Sequence, residues 1–281
     1  MTDACCAHDE PRDDDGELEE HEPERLWEVT ELRFAALAGL FLIAGFIAEP
    51  VMGAGGVVVP PATYWEKIQA VLAKYDILLI ADEVICGFGR TGNMFGSTTF
   101  DIKPDILTMS KQITSSYFPF SAFMINDRVY QPIADESGRI GVLGHGYTGG
   151  GHPVGAAVAL ENIKIIEERD LVANAAERGA ELQAGLTDLT SHPLVGEARG
   201  IGLIGALELI APEGKSGDFA PGKLGAQMNA IMLRNGLISR NMTDAMAFCP
   251  PLIVGANDVR EIIQITKKSL EELAADINGA A

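Results

Sequence analysis

LLIADEVICGFGRTGNMFG (78–96), followed by a second apolar run, ILTM (106–109), that stops at Ser110-Lys111, decides how this chain folds. Each apolar run is short and bounded by turn-forming or charged residues, the pattern of a strand buried on both faces. Asp82 and Glu83 close the first run and Lys111 closes the second. An acid and an amine are thereby placed at the carboxyl ends of two successive strands, where open α/β sheets bind ligands.

An acid and a lysine so placed suit pyridoxal phosphate. The lysine amine, Lys111, bonds the cofactor aldehyde, and the carboxylate, Asp82, keeps the pyridine nitrogen protonated so that the ring accepts electrons from a carbanion. Four segments then carry a resemblance: FIAEPVMGAGGVVVPPATYWEKI (46–68), LLIADEVICGFGRTGNMFG (78–96), DILTMSKQITSSYFPFSAF (105–123) and LGHGYTGGGHPVGAAVAL (143–160). In order and spacing they resemble the class III (omega) aminotransferases, and KQITSSYFP resembles the pyruvate-dependent omega-transaminase branch. The resemblance runs from Phe46 to the C-terminus.

It implies an α/β protein of the PLP-dependent transferase fold type I: a partial large-domain mixed sheet (46–170) and a small C-terminal α/β domain (171–281). It implies Lys111 and Asp82 as catalytic residues. Val84 resembles the residue that packs on the cofactor ring, with an ordinary core valine as the equal alternative. Glu49 resembles the family's active-site glutamate, against a solvated loop acid. Thr148 resembles the threonine that reaches the partner subunit's cofactor phosphate, although Gly149-Gly150 replace the usual residue-Ser pair, and it implies a homodimer. Arg240 resembles the arginine that receives a substrate carboxylate, against a rim arginine. Arg90 is expected to be structural, and His145 and His152 to lie in turns.

The implied reaction moves an amino group from an omega-amino acid or primary amine to pyruvate or a similar keto acid. The family's large domain has a further half before FIAEP, with a Gly-Ser/Thr turn for the phosphate. No such turn precedes Phe46, so a non-catalytic fragment or one half of a split enzyme is the alternative expectation.

The formal net charge of −19 opposes nucleic-acid binding, which needs a basic surface. Residues 1–31 hold thirteen acidic residues against two arginines and read as a disordered acidic tail. Residues 32–45 form an apolar segment that the family pattern does not place. With the Cys5-Cys6-x-His8 tail before it, residues 1–45 also faintly resemble the start of a heavy-metal-transporting P-type ATPase, and metal handling by Cys5, Cys6, His8 and His21 is a third expectation beside a merely disordered tail; His145 and His152 lack the spacing of a metal site. The apolar stretch 34–48 is shorter than the ~18–20 residues that span a bilayer. Without a disulfide framework, a reducing cytoplasm is expected, with Cys86 and Cys249 as small core residues.

The expected elements after Phe46 are a helix over 60–76 with Trp65, Ile68, Val71 and Leu72 inward, strands at 77–81, 106–109 and 120–125, and helices over 153–169 and 171–190. Strands over 202–210, 237–240 and 247–253 and helices over 223–236 and from Asn257 complete the chain. By resemblance, the strand over 120–125 is antiparallel to its neighbours.

Overall fold

The computed structural model describes residues 43–212, 214 and 219–279. The expectations on residues 1–42, including the tail and its Cys and His residues, lie outside the described residues.

Strand β1 (Gly45–Ala48) leads through a loop to helix α1 (Tyr64–Lys74) and strand β2 (Leu78–Asp82). In β2, Leu79 and Ala81 are buried while Leu78 and Ile80 are half-buried, which matches a strand covered on both faces. Helix α1 buries Trp65 and Leu72, a pair seven residues apart and so on one face. Val71, expected on that face, is 43 % exposed, because it lies one residue from the buried stripe. The Trp65 indole donates to the Pro50 carbonyl at 3.4 Å and thereby anchors α1 under the loop after β1.

A short helix α2 (Gly96–Thr99) precedes β3 (Ile106–Met109) and β4 (Ala122–Ile125). The sheet order is β1-β2-β3-β4, parallel from β1 to β3, with β4 antiparallel to β3 as expected. Helix α3 (Asp127–Ile140) was not foreseen: Val129, Ile133 and Ile140 recur at helical spacing, but Pro132 stands inside the run and argues against a helix, and no residue of it is buried. The Asn126 side chain accepts from the Val129 amide and starts it, and Gly141 at φ 80° ends it.

Helices α4 (Pro153–Glu168) and α5 (Leu171–Asp188) carry the chain to a second sheet. Strands β5 (Val195–Ile201), β6 (Ile204–Leu209), β7 (Arg240–Met242) and β8 (Ala245–Phe248) pair antiparallel in the order β5-β6-β8-β7. Between β6 and β7 lies helix α6 (Lys223–Arg234), and helix α7 (Ala256–Gly279) ends the description. Leu182, Leu186, Leu207, Met228, Met246, Leu270 and Leu273 are all fully enclosed between this sheet and its helices. Helix α5 lies so close to the β5–β6 turn that a Cβ on Gly179 would sit 2.5 Å from the Gly202 backbone. The same apolar cluster continues through Phe88, Met109 and Ile113, so the core runs beneath the carboxyl ends of β2 and β3.

The strand expected over 237–240 begins only at Arg240, and the one expected over 247–253 is β8, ending at Phe248. Pro250 and Pro251 have no N–H to give a ladder, so β8 stops before them. Cys249 falls past the strand end and is exposed, not in the core, whereas Cys86 is buried.

Candidate active site

The register of β2 on β3 pairs Asp82 with Thr108, and the Glu83 amide donates to the Thr108 carbonyl at 3.0 Å. Lys111 follows β3 after Met109 and Ser110, so acid and amine leave adjacent strand ends. Lys111 opens a 3-10 turn (Lys111–Ile113) with φ 49°, a backbone region that L-residues rarely adopt. The turn is tied to neighbours on both sides. The Ser110 hydroxyl donates to the Phe120 carbonyl at 3.2 Å, and Asn162 of α4 donates to the carbonyls of Gln112 and Ile113 at 2.7 and 3.2 Å.

Lys111, Val84 and Arg240 line one cavity of ≈ 350 Å³. Its walls include Arg90 and the apolar side chains of Val57 and Ile85, and no carboxylate lines it. Among the described residues, Lys111 has no ion-pair partner, and Arg240 is exposed with no side-chain hydrogen bond. Arg90 gives one guanidinium nitrogen to the carbonyls of Leu203 and Pro250 at 2.9 and 2.5 Å, a tie between the β2–α2 segment and the second sheet's loops. A cavity with three cationic residues and no acid favours anionic guests.

The loop over this cavity is held tightly. The Gly53 amide donates to Glu49 Oε2 at 3.0 Å, and Arg199 of β5 donates through Nε to the Gly56 carbonyl at 2.8 Å while pairing with Glu197 and Glu208. Val57, β-branched and buried, is fixed at φ 54°. Such a conformation persists only where its surroundings over-determine it.

Asp82 and Glu49 lie apart from Lys111's cavity, in an apolar groove of ≈ 750 Å³ with Phe46, Met52 and Tyr64. Asp82 is half-buried rather than fully buried, because the strand end opens onto this groove. Its Oδ1 accepts from the Val84 amide at 3.0 Å, and Oδ2 has no partner among the described residues. Val84 therefore links the two spaces: its amide holds Asp82, and it lines the cavity of Lys111. Glu83 turns the other way into the core, where its carboxylate accepts from the Gly96 amide at 2.9 Å and from the amide and hydroxyl of Ser97, each at 2.5 Å.

Thr148 is exposed and lines none of these spaces. Its neighbours Tyr147, Gly149 and Gly150 form a turn beside a third cavity, of ≈ 760 Å³, shared with Val84, Thr108 and Ser110. His152 caps α4, its Nδ1 accepting from the Val154 amide at 3.3 Å.

Lys111 and Asp82 line separate spaces, and the chemistry of each suits one end of pyridoxal phosphate. A lysine with no acid beside it is available to the aldehyde, and a carboxylate oxygen with no partner is available to the ring nitrogen. Cys86, nearby but fully enclosed, has its thiol pushed up to about 12 by burial, with the charges of Glu83 and Glu49 acting in the same direction. Asn162, Arg199 and the capping role of Glu83 escaped the sequence reading. Asn162 alone gave a signal, as a polar residue within the largely apolar AAVALENIKII. No cluster of metal-binding side chains occurs among the described residues, and none of their helices is long and apolar enough to cross a membrane.

A family model, class III aminotransferase, matches residues 12–270, starting upstream of Phe46. A putrescine–pyruvate aminotransferase of Pseudomonas aeruginosa is 45 % identical over 236 residues, covering 84 % of this chain and 51 % of that protein. A diaminobutyrate–2-oxoglutarate transaminase of Halomonas elongata is 46 % identical over 235 residues, 82 % of this chain and 50 % of that protein. The solved omega transaminase from Pseudomonas jessenii in complex with PMP superposes with a TM-score of 0.82 at 53 % identity, covering 92 % of this chain and 57 % of that one. The chain spans about half the length of the curated relatives it matches.

Proposed function

We propose, from the premise that this chain belongs to the class III aminotransferase family, that it serves PLP-dependent transamination between an amine donor and a keto-acid acceptor. The observation that carries this reading is the Lys111 amine in an acid-free cavity, one strand away from Asp82 with its unpartnered oxygen. Bound pyridoxal phosphate supplies an electron sink for the carbon that loses its proton.

The chain's own residues do the rest. Lys111 would hold the cofactor through its aldehyde and, as a free amine, would be the base that carries the proton during transfer. Asp82 Oδ2 would accept the ring N–H and keep it protonated, while the Val84 amide fixes the other oxygen. The Val84 side chain forms one wall beside the ring. Glu49 holds the Gly53 loop at the cavity mouth. Arg240 pairs with a substrate carboxylate such as that of pyruvate or a similar keto acid acceptor, and the donor is an omega-amino acid or primary amine. Thr148, on an exposed turn, serves the phosphate of a partner subunit in a homodimer, in the cytoplasm.

Borohydride reduction in the presence of pyridoxal phosphate should leave a pyridoxyl group on the Lys111 peptide and none there in Lys111→Ala. An adduct spread over other lysines, unchanged by that substitution, sinks the reading.

A second reading, in which the chain acts with a complementary polypeptide, is favoured by the rim of the Asp82 groove. Ile47 is 59 % and Met52 52 % exposed there, on β1, the edge strand among the described residues, and its following loop. Adding the N-terminal half of a related transaminase should then raise solubility and cofactor occupancy together.

A further inference from the structure

Lys111 is one of three non-glycine residues with positive φ in the six residues 111–116, at 49°, with Ser115 at 47° and Ser116 at 62°. Each is a backbone state that side chains disfavour, so the turn needs outside support. Asn162, projecting from α4, spends its whole amide on this turn. Its Nδ2 donates to the Gln112 carbonyl at 2.7 Å and the Ile113 carbonyl at 3.2 Å, and its Oδ1 accepts from the Ser115 hydroxyl at 2.8 Å. Ser115 in turn accepts from Gln112 Nε2 at 2.8 Å, which closes the ring of contacts.

We propose that Asn162 is a positioning residue that holds Lys111 in its left-handed conformation and so aims the amine into the cavity. Asn162 acts only through the turn. The inference rests on the proposed role of Lys111 for its chemical consequence, but not for its structural claim. Two carbonyls from consecutive residues facing one side-chain amide cannot both be satisfied in a regular helix or strand, so the contact selects this turn. Ile113 and Thr114 are buried and Thr114 Oγ1 donates to the Phe118 carbonyl at 2.7 Å, so packing is the competing explanation for the turn.

Asn162→Asp keeps shape and the Ser115 contact but loses both donors; Asn162→Leu keeps volume and loses every bond. Hydrogen exchange of the 112–117 amides should accelerate about ten-fold or more in both, as expected for losing two hydrogen bonds, while the 78–82 peptide exchanges as before. Borohydride trapping of pyridoxal phosphate on Lys111 should slow by about as much. If either variant fails to fold, Ser115→Ala, which removes the contacts to Asn162 Oδ1 and Gln112 Nε2 but leaves both Asn162 donors in place, should give a smaller acceleration at the same amides. Unchanged exchange in the folded variants overturns the proposal in favour of packing by Ile113. Faster exchange with trapping at the wild-type rate overturns it as well, because the turn would then not govern the amine. Should the wild-type protein trap nothing on Lys111, the proposed function falls while exchange alone still decides whether Asn162 holds the turn.

Discussion

Glu83→Gln should destabilise the fold sharply while sparing the chemistry next to it. The Glu83 carboxylate is fully buried and accepts from the Gly96 amide, the Ser97 amide and the Ser97 hydroxyl, all at the start of α2. Glutamine keeps the volume, and its single carbonyl oxygen can serve Ser97. Its NH2 must then face the Gly96 N–H, leaving a buried donor opposed by a donor, a loss of about 1–3 kcal/mol. The Ser97 bonds pass from charge-assisted to neutral and lose about half their strength, roughly another 1–2 kcal/mol. Relief of the buried charge works in the opposite direction, but three donors already compensate that charge, so the net is about 2–4 kcal/mol of destabilisation. For a domain of this size that lowers the melting midpoint by roughly 4–16 °C. Thermal and urea unfolding followed by circular dichroism measure it. A midpoint within about 0.5 kcal/mol of the wild type would refute the capping role, and a folded variant that no longer traps cofactor on Lys111 would refute its separation from the site.

Asp82→Asn should do the reverse: the melting midpoint stays near the wild type, since the Val84 amide keeps its acceptor, while turnover falls further than cofactor retention because a neutral partner no longer stabilises a protonated ring. Equal turnover in the two proteins removes Asp82 from that role. For the thiols, Cys249 should be alkylated in the native protein at pH 8 and Cys86 should not, as read by peptide mass mapping. Burial raises the Cys86 thiol from 9.0 to about 12, so its contribution to stability is whole below pH 9 and is lost as the pH climbs toward 12 and the unfolded thiol ionises. Equal labelling of both at pH 8 would contradict the enclosed position of Cys86.

Strands β2 and β3 were legible because burial on both faces demands unbroken apolar runs, and those runs end on residues too polar to continue them. Helices α4 and α7 were legible for a related reason: Ile166 on α4, and Val259, Leu270, Leu273 and Ile277 on α7, are buried at helical spacing. Strand β5 was not, because VGEARGI places Glu197 and Arg199 in its middle, and their roles are set by partners far along the chain, Gly56 and Glu208. Helix α3 was missed because Pro132 stands inside its apolar spacing, where a proline argues against a helix. The β7 and β8 boundaries slipped because their ends are fixed by Pro250-Pro251 and by pairing with each other, which a propensity reading weighs poorly.

The candidate site divides along the same line. Asp82 and Glu83 are adjacent acids, and the alternation along β2 that the sequence already implies sends one to the open groove and the other into the core. What separates them is the set of donors each meets: one amide for Asp82, which leaves an oxygen for a ligand, and three donors for Glu83, which leaves none. An acid whose acceptors are all spent on its own chain stabilises the fold, and one with an acceptor to spare can bind. The same accounting distinguishes the cations of the Lys111 cavity. Arg90 commits a guanidinium nitrogen to two backbone carbonyls, whereas Lys111 and Arg240 commit nothing and remain available to a guest. Residue type and spacing brought these groups to one end of the sheet, but only the count of satisfied partners tells a strut from a ligand.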